Sequence, residues 1–452
     1  MTLQVQTFLQ EINAIASSGE KGTMCSLECT IHANGKDLTP YYVNSLLRER
    51  NYVEDFAEVL VVDLTLPPGM LQYQIMPFKD NLEITIRRLP LGENVMFTKD
   101  DETPIVAKRY RAVPFKTNSK VLEANSTAMV NQDMADKVDI TTAKFQLLDP
   151  LIEQLRTQTV GGVFRSMSGV NLIRYLLGKY SKQVKVEDAF AVKGVTVLPG
   201  TNPEVREHII VPHLTPFNKF PELINRICGG IYPSGFRYYL QNGFWYLYSP
   251  FDIKGYEKSP KSISFLNVPA GRLPNPERSF RETPTQVLAL TTGEVQHVDK
   301  SEEMLMNLGS GTRFMDASRV MDGFVTVSGN VMTVEKSKNV NEFIAENRPN
   351  GINLIAESTE RITANYLTEY AELARRQGSL INAVWENADP DLIYPGMAVK
   401  FMYVQNNVVE ELYGTVNGTK TLEQPSNQNP KNRRFTANTL VSIFVTRKIR
   451  LG

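Results

Sequence analysis

Glu58-Val-Leu-Val-Val-Asp-Leu-Thr-Leu66, closed by Pro67-Pro68-Gly69, is the stretch on which the fold turns. Leu60, Val62, Leu64 and Leu66 alternate with Val59, Val61, Asp63 and Thr65, so one face of a strand is wholly apolar and the other mixed. A sheet with such a second face also touches something outside its own core. Leu82, Ile84 and Ile86, alternating with Glu83, Thr85 and Arg87, repeat the pattern, and Lys144–Leu148 repeats it through Phe145 and Leu147. Met24–Ile31 does the same with Cys25, Leu27, Cys29 and Ile31 on the apolar side. Short strands with Pro/Gly stops and little helix between them predict a barrel or sandwich over 24–164.

Outward from there the texture changes twice. Ahead of the strands, 2–16 spaces Val5, Phe8, Leu9, Ile12 and Ile15 as an amphipathic helix that Ser17-Ser18-Gly19 ends. Behind them, 168–180 places Val170, Ile173, Leu176, Leu177 and Tyr180 at helical spacing, and Thr215-Pro216 reads as the cap and first residue of a helix over 215–228. Phe236–Leu240 and Phe244–Tyr248, joined through Gln241-Asn242-Gly243, are a hairpin. Residues 165–255 therefore read as a small α+β domain. From 256 strands return: 265–268, 287–290, 324–334 bent at Ser328-Gly329-Asn330, then 380–386, 398–404, 408–416 and 436–447. A helix over 359–377 carries Ile362, Tyr366, Tyr370, Leu373 and Ala374 on one stripe. The polar stretches 117–139 and 417–434 read as long exposed loops. The predicted class is β-rich α+β, with a β domain at 1–164, the small domain at 165–255 and a second β domain at 256–452.

Composition narrows the function. Among 452 residues Lys plus Arg number 49 and Asp plus Glu 49, for no formal net charge. A protein that grips nucleic acid by its phosphates is basic somewhere obvious, and this one is balanced. Nothing resembles a signal peptide or an apolar span of membrane length, so the expectation is a soluble protein made in the cytoplasm, with no membrane partner. Cys25, Cys29 and Cys228 are too few and too scattered for a disulfide framework, and the alternation buries the first two as core residues rather than metal ligands.

No phosphate-binding loop, nucleophile elbow or His-Glu-x-x-His helix is present. The four histidines (His32, His208, His213 and His297) lack clustered partners. Glu410 and Glu411 point to opposite faces of a strand, and Asp389-Pro390-Asp391 reads as a turn. Neither is a ready carboxylate pair for glycoside cleavage. The sequence thus nominates no catalytic, cofactor-binding or metal residue. One binding alternative stays open: Tyr238, Tyr239, Trp245, Tyr246 and Tyr248 as a sugar platform, against the same rings as packed cross-strand pairs.

The order of elements resembles the baseplate hub proteins of contractile-tailed bacteriophages, of the T-even type. The segments that carry the likeness are Phe145–Arg156 with Val160–Phe164, the helix at 168–180, and Ile209-Ile-Val-Pro212 leading into 215–228 and the 236–248 hairpin. To these add the helix at 359–377, the strand 380–386, Tyr394-Pro-Gly-Met-Ala-Val-Lys-Phe401 and the strand at 408–416. The resemblance implies two tube-type antiparallel β-barrels in one chain. It also implies a homotrimer whose six barrels ring a channel, joining a tail tube protein to a central spike protein. Neighbouring baseplate proteins and a tape measure protein would be further partners, DNA would pass without specific binding, and the site would be the tail baseplate of a virion. Other tail components, a distal tail ring or a tube-initiating ring, are the nearest alternatives; a glycan-cleaving tail protein is the enzymatic one.

Overall fold

The computed structural model describes residues 3–21, 24–90, 106–114, 140–293 apart from breaks at 233–234, 253–255, 257–258, 270–272 and 275–276, then 379–426 apart from 406, and 434–447. It also describes four short strands between 312 and 345. The expected helix at 359–377 and the loop at 117–139 lie outside these residues.

Helix α1 (Leu3–Ser18) precedes β1 (Glu20–Lys21), β2 (Met24–Ala33), β3 (Lys36–Leu38), β4 (Tyr42–Asn51), β5 (Val59–Leu66), β6 (Glu83–Pro90), β7 (Val106–Pro114) and β8 (Thr141–Leu148). Helix α2 (Pro150–Thr157), β9 (Thr159–Ser168), helix α3 (Gly169–Gln183), β10 (Gly194–Val197), β11 (Val205–Pro216), helix α4 (Phe220–Ile227), β12 (Arg237–Gln241) and β13 (Phe244–Tyr248) come next. The rest comprises β14 (Ser262–Val268), β15 (Arg278–Glu282), β16 (Gln286–Thr292), β17 (Thr312–Phe314), β18 (Val325–Ser328), β19 (Val331–Val334), β20 (Phe343–Ala345), β21 (Ser379–Trp385), β22 (Ala398–Gln405), β23 (Val408–Pro425) and β24 (Phe435–Arg447).

The molecule is β-rich, and its large sheet is ring-like. Pairings run β23-β4-β5-β8-β7-β6-β2-β24 and return to β23, every neighbour antiparallel. They also run β23-β22-β14-β16-β21-β24 and return to β23. In this second circuit β14 lies parallel to both β16 and β22, which corrects the expectation of antiparallel strands throughout 256–452. The cause is local: β15 and β16 pair antiparallel, so the chain reverses before β16 and lays it alongside β14 in the same direction. All seven residues of β14 are buried, as befits a parallel strand covered on both faces.

The two circuits share β23 and β24. The exposed loop expected over 417–434 is corrected in its first part, where β23 continues to Pro425. A register shift at Val416–Gly418 marks the place where β23 leaves β22 and takes up β4. A Cβ on Gly418 would stand 2.8 Å from the Arg50 carbonyl oxygen, so this glycine serves close approach of two backbones. Gly414 is tighter: its Cβ would meet the Phe444 carbonyl oxygen at 1.7 Å.

Two further expectations are corrected. Thr215-Pro216 ends β11, and the helix begins later, at Phe220, with Pro221 in its first turn. The strand expected over 324–334 is the antiparallel pair β18–β19. Helix α1, next to the first β region in sequence, packs on the second: Phe8, Ile12 and Ile15 share a core with Leu266, Val268, Leu290 and Met402. Among the described residues β9 pairs with β11 alone, in a sheet separate from the large one.

A candidate functional site at the junction of the two circuits

The hairpin β12–β13 explains its own aromatic richness. Asn242 and Gly243 both have positive φ (52° and 80°), the backbone of a two-residue hairpin turn. Tyr238, Leu240, Trp245 and Leu247 face the core built on the first circuit, while Tyr239 and Tyr248 enter the core of the second. A strand pair buried on both faces needs apolar residues at every position rather than at alternate ones. The Trp245 indole donates to Ser181 Oγ at 2.9 Å, and Tyr246 stacks on Tyr394. Tyr238, Tyr239, Trp245 and Tyr248 are all buried, so they form no sugar platform.

The turn after β4 ties this hairpin to both circuits. Leu240 N donates to the Phe56 carbonyl and Tyr52 N to the Asn417 carbonyl. The Tyr52 hydroxyl donates to Gln241 Oε1 at 2.9 Å, and Gln241 Nε2 donates to the Ile393 carbonyl at 2.6 Å. One buried glutamine thus connects β4, the small sheet and the turn ahead of β22.

Beside it lies a cavity of about 430 Å³ lined by Arg48, Arg50, Glu58, Arg88, Asp389, Asp391 and Glu423, over a floor that includes Leu46, Leu60 and Phe435. Nothing in the sequence patterning names this cluster, though a signal is there. Leu46, Arg48 and Arg50 share the inward face of β4, so two arginines continue an apolar stripe. Arg50 is 1% exposed and Glu423 2%. Arg50 donates from Nη2 to Asp391 Oδ1 at 2.8 Å, from Nε to Glu58 Oε2 at 3.2 Å and from Nη1 to the Pro390 carbonyl at 3.0 Å. Arg48 donates to the same Asp391 oxygen at 3.0 Å and to Glu423 Oε1 at 3.5 Å, which Arg88 also holds. Residues far apart in sequence are thereby clamped together.

The electrostatics follow from that geometry. Burial pushes the Glu58 carboxyl up, but Arg50 and Arg48 outweigh it and hold the group below its ordinary value. Against the same burial, Arg48 and Arg50 hold Asp391 far below the usual carboxylate range. Asp389 moves the other way, raised by burial and then by the Asp391 charge, and its side chain accepts from Asp391 N at 3.2 Å. That bond makes Asp389 the cap of the 390–392 turn, in keeping with its reading as a turn residue. Arginine-paired carboxylates are ionised and tethered, a poor arrangement for a general acid but a good one for fixing three elements in register.

The remaining sequence candidates lie elsewhere. Cys25 and Cys29 are buried free thiols raised by burial to about 11 and about 12. Cys25 lines the cavity edge. His32 bridges Asp37 and Thr85 at 2.7 and 2.8 Å. Glu411 bonds Lys400 at 2.7 Å, outside the cavity. No helix among the described residues is long and apolar enough to cross a membrane.

No family model matches the chain. No curated protein matches it in sequence. In solved structures it is similar to the 43 kDa tail protein of prophage MuSo2 from Shewanella oneidensis, at 11% identity over 93% of this chain and 98% of that one, with a TM-score of 0.45. It is similar to a tail protein from Neisseria meningitidis MC58, at 10% identity over 93% and 96%, TM-score 0.42. An E. coli component of the type VI secretion system is similar at 9% identity over 93% and 80%, TM-score 0.34.

Proposed function

We propose that this chain is a structural hub of a contractile phage tail. Each of its two strand circuits is a tube-type barrel, and three copies form a ring of six barrels between tail tube and central spike. The observation that carries this reading is the shared pair β23–β24, which closes both circuits and couples them through one long antiparallel ladder with a single register shift at Val416–Gly418. A ring subunit gains from such an arrangement: closed circuits leave few free strand edges, and a shared ladder fixes the angle between its two halves. The balanced charge suits a channel through which DNA slides without being gripped. The arginine-paired carboxylates favour this role over glycan cleavage.

The two circuits differ in strand number and direction, so the sixfold character lies in their placement around the ring and not in duplication of one unit. The test is the assembly state. Light scattering across a concentration series should give three times the chain mass, and electron microscopy of that species should show a ring with an open centre. A chain that stays monomeric at every concentration, alone and with tube and spike proteins added, sinks the proposal.

A further inference from the structure

The chain is neutral overall, yet one groove on the small domain is not. Between α3 and β10 lies an open groove of about 510 Å³ whose lining includes Arg174, Lys179, Lys182 and Lys193 with Tyr175, and no carboxylate. All four cations are exposed, and none has an ion-pair partner among the described residues. Tyr175, Lys179 and Lys182 follow at i, i+4 and i+7, one ridge of the helix. The Lys179 ammonium stands 5.8 Å from the Tyr175 ring centroid, so cations dominate the groove and carboxylates are its natural counterpart.

The complementary charge sits on the same chain, out of its own reach. The turn after β4 exposes Glu54 and Asp55, with Glu49 beside them on β4. Glu49 bonds Lys420 at 3.8 Å and Arg156 lies near Asp55, which leaves Glu54 and part of the Asp55 charge uncompensated. Ala57 bridges Leu240 at the β12 edge of the sheet ordered β10-β13-β12, whereas the groove lies at its β10 edge. Three strand spacings separate the Ala57 segment from β10, about 14 Å. That exceeds the screening length of roughly 8–10 Å in physiological salt. Opposite charges on opposite edges of one sheet are what a head-to-tail contact between copies requires.

We infer that the α3–β10 groove of one copy receives the 49–55 turn of the next, and that this pairing is part of the contact that closes the homotrimer. The inference rests on the ring proposal and adds the interface to it. Complementary charge acts mainly on encounter and register, so the contact should weaken as salt rises.

The experiment uses the full chain in three forms: Lys179→Glu with Lys182→Glu, Glu54→Lys with Asp55→Lys, and all four changes together, each checked for native circular dichroism. Either pair alone should weaken trimer formation by about tenfold or more at low salt, and the fourfold variant, in which every interface is reversed on both sides, should restore it. A folded Lys179/Lys182 variant that assembles like the parent overturns the inference and leaves the ring standing. Failure of the fourfold variant to recover overturns it as well. Loss of single-stranded oligonucleotide binding by the lysine variant, with assembly unchanged, would assign the groove to nucleic acid instead. A parent chain that never forms trimers defeats the ring proposal itself.

Discussion

The two circuits close by different rules. The first uses eight antiparallel strands, six of its own and the shared pair, with short-range connections such as β4 to β5 and β6 to β7. The second needs only four strands of its own and includes parallel neighbours, so β14 must wait for β22, more than a hundred residues later, to complete its pairing. Local hairpins form early and cheaply, whereas distant parallel pairing is slow and depends on what is already in place. Both circuits also wait for the shared C-terminal pair, since β4 closes on β23 and β2 on β24. One molecule thus contains an all-antiparallel ring of strands and a mixed one, joined at the 414–418 segment of β23.

Gly414 and Gly418 make the sharpest probe of that asymmetry. Gly414→Ala drives a methyl into the Phe444 carbonyl within the second circuit, while Gly418→Ala presses on Arg50 at the crossing into the first. Gly414→Ala should be the more damaging, by about 4 kcal/mol or more, the range of severe backbone clash. Urea unfolding of both variants checks this. If Gly414→Ala matches Gly418→Ala in cost, the two crossings are equally tight and the contrast fails.

Next in size is Arg50→Met. It strips a 1% exposed guanidinium from the part-buried Glu58 and the more exposed Asp391. A loss of about 2–3 kcal/mol is expected, less than for a fully buried pair because water screens both carboxylates in part. Both carboxyls have folded values depressed below the unfolded one, so their contribution is complete above the unfolded carboxylate value of about 4 and is lost as pH falls below it. The variant should therefore lose most of its stability deficit relative to the parent in strong acid. A deficit that persists unchanged there would point to lost packing instead of lost charge.

A smaller pair of variants asks whether the halves unfold together. Trp245 donates to Ser181 in the core of the first circuit and Trp385 to Ser279 in the core of the second, each buried. Ser181→Ala and Ser279→Ala each orphan an indole N–H at a cost of about 1–3 kcal/mol. If the second circuit depends on the first, Ser181→Ala lowers the melting of both regions, while Ser279→Ala lowers that of the second alone. Hydrogen exchange resolved by region reads the difference.

The legibility of this molecule follows the same division. Strands with period-two alternation, such as Glu58–Leu66, announced themselves because one face meets a core and the other does not. The Asn242-Gly243 hairpin did so because its turn needs positive φ at both residues. The stretch 417–434 misled on composition: its polar residues suit an exposed loop, yet the first of them extend β23, and only the partner strands β4 and β24 show it. The ion-pair clamp was hidden because Arg48 and Arg50 stand some 340 residues from Asp391. Charged residues on an apolar stripe signal that a partner exists without saying which. The parallel course of β14 was illegible for the same cause, since its neighbour lies across the chain.

The smallest effect lies at the start of α2, where the first circuit hands over to the small domain. Asp149 caps the helix, accepting from Leu151 N at 2.8 Å, yet burial raises its carboxyl to about 6. A carboxyl with a raised folded value adds stability that is complete below its unfolded value near 4 and disappears as pH rises through 6. Asn keeps an oxygen for the cap and carries no charge, so Asp149→Asn should be more stable than the parent above pH 7 by on the order of 1 kcal/mol. Near pH 4 the two should melt alike, because the parent's carboxyl is then protonated too. Thermal melts from pH 4 to 8 decide it. If the parent is the more stable at pH 8, the charged cap outweighs its burial, and this boundary is held by electrostatics like the Arg50 junction.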